Sequence, residues 1–198
     1  KQRIDNGEIG DVEQLFITSR DPGLPPIEFL KSSGGFFRDM MIHDFDMARW
    51  LLGESPTEIF AAASILIDPA LAEIDDVDSA IATLKTVSGK LVQINNSRRA
   101  GYGYDQRIEV LGSKGMIRAR NKSADSIELS NAEGTTRGNP LPFFLERYND
   151  AYRLEMAAFV NMVKHNQPPS PGGFDGMEAL RLADAAIESF KSGLPVKL

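Results

Sequence analysis

The chain has 198 residues, with 22 Lys and Arg against 28 Asp and Glu for a net charge of -6, and no cysteine. That length suits one domain with a real core, while the acidic balance and the lack of any basic block argue against a nucleic-acid partner. Disulfides, thiolate metal ligands and thiol nucleophiles are excluded, and no apolar run approaches the roughly 18 to 20 residues of a membrane span, so no membrane is expected and a cytoplasmic location is.

The chain begins at Lys1 without an initiator Met, and Lys1 to Ile4 read as the end of a helix stopped at Gly7, as in a piece of a longer protein. Asp11 to Ser19 is rich in β-formers and reads as a strand, followed by the Pro-rich loop Asp21 to Pro26. A helix is expected from Phe36 to Leu52, opened by Gly34-Gly35 and closed by Gly53. Four β-rich segments come next: Thr57 to Ile67, Asp78 to Val87, Lys90 to Arg98, and Gln106 to Leu111 turning through Gly112-Ser113-Lys114-Gly115 into Met116 to Ala119. Short turns such as Ser88-Gly89 imply antiparallel hairpins. Ser126 to Leu129 suggests an edge strand. Apolar spacing then predicts helices over Arg147 to Lys164 and Asp175 to Lys191, the first barred from continuing by Pro168-Pro169 and the second ended at Gly193. The order implies an α+β fold, an open and mainly antiparallel sheet with helices packed on one face.

The Phe36 to Leu52 helix carries the most chemistry. Its apolar residues cover nearly every azimuth, the pattern of a buried helix, yet Asp39 and His43 sit four apart and should share a face. A buried carboxylate and imidazole need partners, so the two are either a satisfied core contact or a proton-handling pair in which Asp39 orients the ring. Asp44, Asp46 and Arg49 read as structural, with Asp46 and Arg49 spaced for a local ion pair. A metal site from Asp39, His43 and Asp46 is conceivable, but three ligands on one helix converge poorly on one ion.

The stretch Arg98-Arg99-Ala100-Gly101-Tyr102-Gly103-Tyr104-Asp105-Gln106-Arg107 joins two strands and offers hydroxyls and guanidinium groups suited to a polyol, or simply a solvated connection. Thr18-Ser19-Arg20-Asp21 leaves a strand end just before the helix. No glycine-rich phosphate loop follows any strand, since Gly101-Tyr102-Gly103 lacks the third glycine and the helix such a loop requires.

Taken together, Ser19-Arg20-Asp21-Pro22, Ser33-Gly34-Gly35 with Asp39, Ile42-His43-Asp44 and Asp46-Met47-Ala48-Arg49, and Tyr102-Gly103-Tyr104-Asp105-Gln106-Arg107 resemble the C-terminal domain of myo-inositol 2-dehydrogenases, in the glucose-fructose oxidoreductase and inositol dehydrogenase family. The resemblance runs on through Arg147-Tyr148, Ala151-Tyr152 with Glu155, and Asp175-Gly176. It implies that residues 1–198 form the substrate-binding and oligomerisation domain of a two-domain oxidoreductase whose N-terminal Rossmann domain, absent here, binds most of the NAD. It further implies that His43 is the general base and also meets the cofactor, that Asp39 tunes it, and that Tyr104, Arg20, Asp21 and Tyr102 bind the polyol. The family's glycine-rich loop and its Glu-Lys-Pro lysine are not in this sequence, so the chain alone should be inactive. A homodimer or homotetramer through the open sheet is expected. A stand-alone assembly or ligand-binding module, and a metal-dependent hydrolase, are the competing readings.

Overall fold

The computed structural model describes all of Lys1–Leu198. Strand alternation decides which face of the sheet is covered. In β1 (Val12–Arg20) Leu15, Ile17 and Ser19 are buried while their neighbours are not, and β3 (Ser79–Thr86) and β4 (Leu91–Ser97) repeat the pattern with Ala80, Ala82, Leu84 and with Val92, Ile94, Asn96. With β2 (Pro56–Ser64), β5 (Asp105–Gly112), β6 (Gly115–Ala119) and β9 (Val196–Lys197) they form a seven-stranded sheet in the order β6-β5-β1-β4-β3-β2-β9. Every neighbouring pair is antiparallel except β1 with β4.

Two helices cover the inward face. α3 (Ile42–Leu52) brings Phe45, Ala48, Leu51 and Leu52, and α5 (Gly173–Ser192) brings Leu182, Ala183, Ala185 and Ala186, all in one core with the inward strand residues. The alanines of α5 let its backbone approach the sheet closely, and Ser189, fully buried, accepts a hydrogen bond from the Ala61 amide of β2 (3.0 Å) while donating to the Leu194 carbonyl (2.7 Å). That amide would otherwise be orphaned, because β9 pairs with β2 only at Glu58 and Ile59. The opposite face carries Phe16, Phe60, Ile81 and Leu91 among Arg107, Glu109, Gln93 and Lys85, and no helix covers it.

Some expectations need correction. The Phe36 to Leu52 segment is not one α-helix: Phe37–Met41 is a turn of π-helix that precedes α3. Gly34 and Gly35, at φ 96° and 85°, make the entry, and the Asp76 carboxylate accepts the Phe36 amide at 2.8 Å. Ser126 to Leu129 is no edge of the main sheet; β7 (Glu128–Asn131) pairs with β8 (Gly134–Arg137) in a separate exposed hairpin. α4 (Phe144–Lys164) buries none of its residues and adds nothing to the core, so the sheet owes its cover to α3 and α5. α1 (Gln2–Asp5), α2 (Ile27–Ser33) and a 3₁₀ turn at Pro69–Ile74 complete the chain; α2 is too short, and flanked too closely by prolines, for periodicity to betray it. No helix is long and apolar enough to cross a membrane.

Candidate active site

α3 is pinned to the sheet by a buried carboxylate. Asp44 accepts hydrogen bonds from the Ser19 hydroxyl of β1 (2.7 Å) and the Asn96 amide of β4 (2.6 Å). Burial pushes its pKa above the ordinary carboxylate value, against the pull of those two donors and of His43. This contact fixes the height of the helix over the strands and so places His43, one residue earlier, above the ends of β1 and β4. Asp44 is thus structural, as the spacing implied. Asp46 and Arg49 also serve the scaffold: Arg49 lies 3.8 Å from Asp46 and 3.7 Å from Asp175, and donates to Ser55 (3.1 Å), tying the start of α5 to α3.

The expected Asp39–His43 contact is absent. Asp39 lies in the π-turn, whose i→i+5 bonding takes more residues per turn than an α-helix, so side chains four apart no longer stack one above the other. Its carboxylate is instead held by Arg98, Nη2 to Oδ2 at 2.7 Å. His43 is exposed, and no group of the chain hydrogen-bonds its ring. Nor do Asp39, His43 and Asp46 converge as metal ligands; no three His, Asp or Glu side chains gather in a way that could hold an ion.

Asp21, in the loop after β1, is the hub of the site. Burial raises its pKa to about 6; Arg98, 3.8 Å away, works against that rise, Asp39 and Asp44 add to it, and His43 opposes it. Tyr104, ahead of β5, has its hydroxyl pushed well above the ordinary value by burial, and then by Tyr148 and the Asp21 charge. The rings of Tyr104 and Tyr148 meet edge to face with centroids 6.0 Å apart, and Tyr148, in the first turns of α4, donates to Gln106 at 3.2 Å. Both phenols stay protonated near neutral pH; Tyr104 is available as a donor, Tyr148, whose proton goes to Gln106, as an acceptor, and Asp21 offers acceptor oxygens. An accessible imidazole, a carboxylate and two phenols suit a ligand with several hydroxyls, one of which could lose a proton to the ring.

Of the expected site residues, the structure therefore groups His43, Asp39, Asp21 and Tyr104. It separates Arg20 and Tyr102. Arg20 follows the inward Ser19 by one position and points to the uncovered face, donating to Asn95 (2.8 and 3.0 Å) and Tyr102 (3.1 Å). Tyr102 in turn donates to the fully buried Asp105 at 2.5 Å, which also accepts from Arg107 (2.7 and 2.9 Å) and Asn121 (2.6 Å). Burial would raise the Asp105 pKa, but those donors outweigh it and hold it low. The Tyr-Gly-Tyr-Asp-Gln-Arg segment thus divides: Tyr104 serves the site, and Tyr102, Asp105 and Arg107 lock the strand ends on the other side.

Sequence reasoning had Arg98 only as one arginine of the Arg98–Arg107 stretch and not as the partner of Asp39; Arg98 continues the inward series Val92, Ile94, Asn96 and is 2% exposed. A charged residue at an inward strand position was a usable signal. It left Tyr148 without a role of its own, since nothing local ties the start of α4 to a site. Two concavities, of about 790 Å³ beside Lys1, Trp50 and Asp175 and about 460 Å³ beside Arg20 and Ile81, do not include His43 in their lining.

A family model described as "Oxidoreductase family, C-terminal alpha/beta domain" matches residues 1–198. An inositol 2-dehydrogenase of Rhizobium meliloti (strain 1021) is 51% identical over 189 residues, which is 96% of this chain and 57% of that protein. A myo-inositol 2-dehydrogenase of Thermotoga maritima is 48% identical over 198 residues, 100% of this chain and 59% of that protein. The solved structure of scyllo-inositol dehydrogenase from Lactobacillus casei, with bound NAD(H) and scyllo-inositol, superposes with a TM-score of 0.89 at 30% identity, over 99% of this chain and 59% of that one. The chain spans less than two thirds of the length of these relatives. Matched from its first residue to its last, it belongs to this oxidoreductase family, as a C-terminal α/β domain.

Proposed function

We propose that this chain is the substrate-side domain of an NAD-dependent inositol 2-dehydrogenase, in which His43 takes the proton from the hydroxyl being oxidised. The observation that carries the reading is the His43 ring itself, open to a ligand, close enough to Asp21 to act on its charge, and free of hydrogen bonds to its own chain, on a scaffold shared with inositol dehydrogenases. Oxidising a secondary alcohol requires loss of the hydroxyl proton as hydride leaves the carbon, and a neutral imidazole within hydrogen-bond reach of that oxygen is suited to accept it. Asp21 would accept from a neighbouring hydroxyl of the ring, Tyr104 would donate to another and the Tyr148 oxygen would accept from a third, which fixes the polyol face presented to the base. Positive charge developing on the imidazole is favoured by the nearby carboxylates.

The residues of this chain fit the polyol and not a dinucleotide, for no glycine-rich turn leads from a strand into a helix N-terminus; the Gly101–Gly103 turn joins β4 to β5. NAD, held by an N-terminal domain of the full-length protein, would accept the hydride. The 198 residues alone should be inactive. The uncovered sheet face, apolar at Phe16, Phe60, Ile81 and Leu91, supports association into a dimer or tetramer through that face. The test is turnover of the full-length protein with myo-inositol, scyllo-inositol and hexoses, each with NAD and NADP. NAD-dependent oxidation of an inositol ahead of the hexoses is expected. Turnover of no cyclitol by a folded, NAD-binding protein would refute the reading.

A further inference from the structure

Arg98 stands out among the charged groups of the molecule. It is 2% exposed, stacked 5.4 Å from the ring of Phe36, itself buried at 1%, and its backbone amide is bonded to the Asp78 carbonyl at 2.9 Å. One arm of its guanidinium donates to Asp39 at 2.7 Å and the other faces Asp21 at 3.8 Å, while the Nε proton has no partner. A buried ion cluster with an orphaned donor costs stability that an apolar residue of similar volume would not, so packing alone is a poor account of its presence. Its place supplies another. The charges that act on His43 are Asp21, from the loop after β1, and Asp44, from α3 itself; Asp21 in turn feels Arg98 from the end of β4 and Asp39 from the π-turn, and lies near Tyr104 from the start of β5, which meets Tyr148 of α4.

We propose that Arg98 is a positioning residue for this reaction: its fork holds the Asp39 and Asp21 carboxylates apart and in place, and leaves the His43 ring free for substrate. The inference rests on the His43 reading above and extends it to a residue that reaches substrate only through others. With the guanidinium present, the charge of one of the Asp39 and Asp21 carboxylates is balanced, and the charge left over favours the imidazolium that forms as substrate loses its proton. Without it the two carboxylates repel one another, and Asp21, which Arg98 holds down and Asp39 pushes up, keeps its proton to higher pH, so the acceptor beside His43 ionises later. Lysine would keep the charge and lose the fork.

The experiment measures kcat and kcat/KM for inositol against pH in the full-length enzyme. Arg98→Gln should lower kcat about ten-fold or more and move the acid limb of kcat/KM up by about half a pH unit or more, with KM for NAD unchanged. Arg98→Lys should return the limb to its wild-type position while kcat stays low. Asp39→Asn, isosteric and therefore informative even where Arg98→Gln fails to fold, should move the limb the other way. A wild-type limb in Arg98→Gln, or in Asp39→Asn where the Gln variant does not fold, overturns the proposal. His43→Ala separates the two claims: if it loses activity while the Arg98 and Asp39 variants keep the wild-type profile, only the positioning role falls. If it keeps both rate and limb, the base assignment falls and the role of Arg98 with it.

Discussion

Replacing Asp21 by Asn removes a carboxyl that holds its proton up to about pH 6 in the folded chain, against an ordinary value of 3.8. Between those two values the folded state binds more protons than the unfolded one, so the wild-type chain loses stability as pH rises through that window, and the loss is complete above it. The difference of about 2 units corresponds to a ceiling of about 3 kcal/mol at neutral pH, since each unit is worth 1.36 kcal/mol; it already includes the opposing pull of Arg98. For a chain of this size, 1 kcal/mol moves Tm by about 2–4 °C. Asp21→Asn should therefore melt up to about 10 °C above wild type at pH 7.5 and nearly level with it at pH 4, in thermal unfolding followed by circular dichroism. A variant less stable than wild type at pH 7.5, or a gap that does not change with pH, would refute the account of Asp21 as a carboxyl whose burial outweighs its partner. The same variant should impair catalysis in the full-length enzyme, the expected exchange of stability for a charged group at a working site.

Other substitutions test the scaffold. Ser189→Ala orphans the buried Ala61 amide and should cost about 1–3 kcal/mol in chemical denaturation, with an unchanged fold by circular dichroism. Gly103→Ala places a Cβ 2.8 Å from the Pro140 carbonyl at a φ of 125°. Because the Tyr104 amide donates to Leu141 in the same segment, the displacement should reach that phenol and raise KM for the polyol more than KM for NAD. Asp105→Asn weakens the lock on Arg107, Tyr102 and Asn121; since Asp105 is held below its ordinary value, its contribution is present near neutrality and lost in acid, so the variant should be less stable at pH 7 and converge on wild type toward pH 3.

Strand patterning made the sheet legible: Ala80, Ala82 and Leu84 against Ile81, Thr83 and Lys85 assign both faces from a period of two. The parallel neighbours β1 and β4 were not legible, because a pairing across some seventy residues leaves no local mark. His43 and Asp21 could be singled out, one as a titratable group in an apolar helix and one at a strand end. The partner of Asp39 could not, since the π-turn departs from α-helical spacing and Arg98 is remote in sequence. Arg20 was misplaced for a simpler reason. Its family context outweighed the parity that sets it one step from Ser19 and so on the other face. The lone amphipathic pattern of α4 gave a helix but not its surroundings, because periodicity reports an apolar face and not what meets it.

The central claim is that His43 is the base that takes the substrate hydroxyl proton. Its most direct test is the single-turnover rate of NADH formation with myo-inositol in the full-length enzyme, wild type against His43→Ala, at saturating NAD whose binding is measured separately. The account predicts a loss of about 10²-fold or more near neutral pH with NAD affinity intact, and partial recovery as pH rises and solvent hydroxide replaces the base. An unaltered rate in a variant that still binds NAD would contradict it.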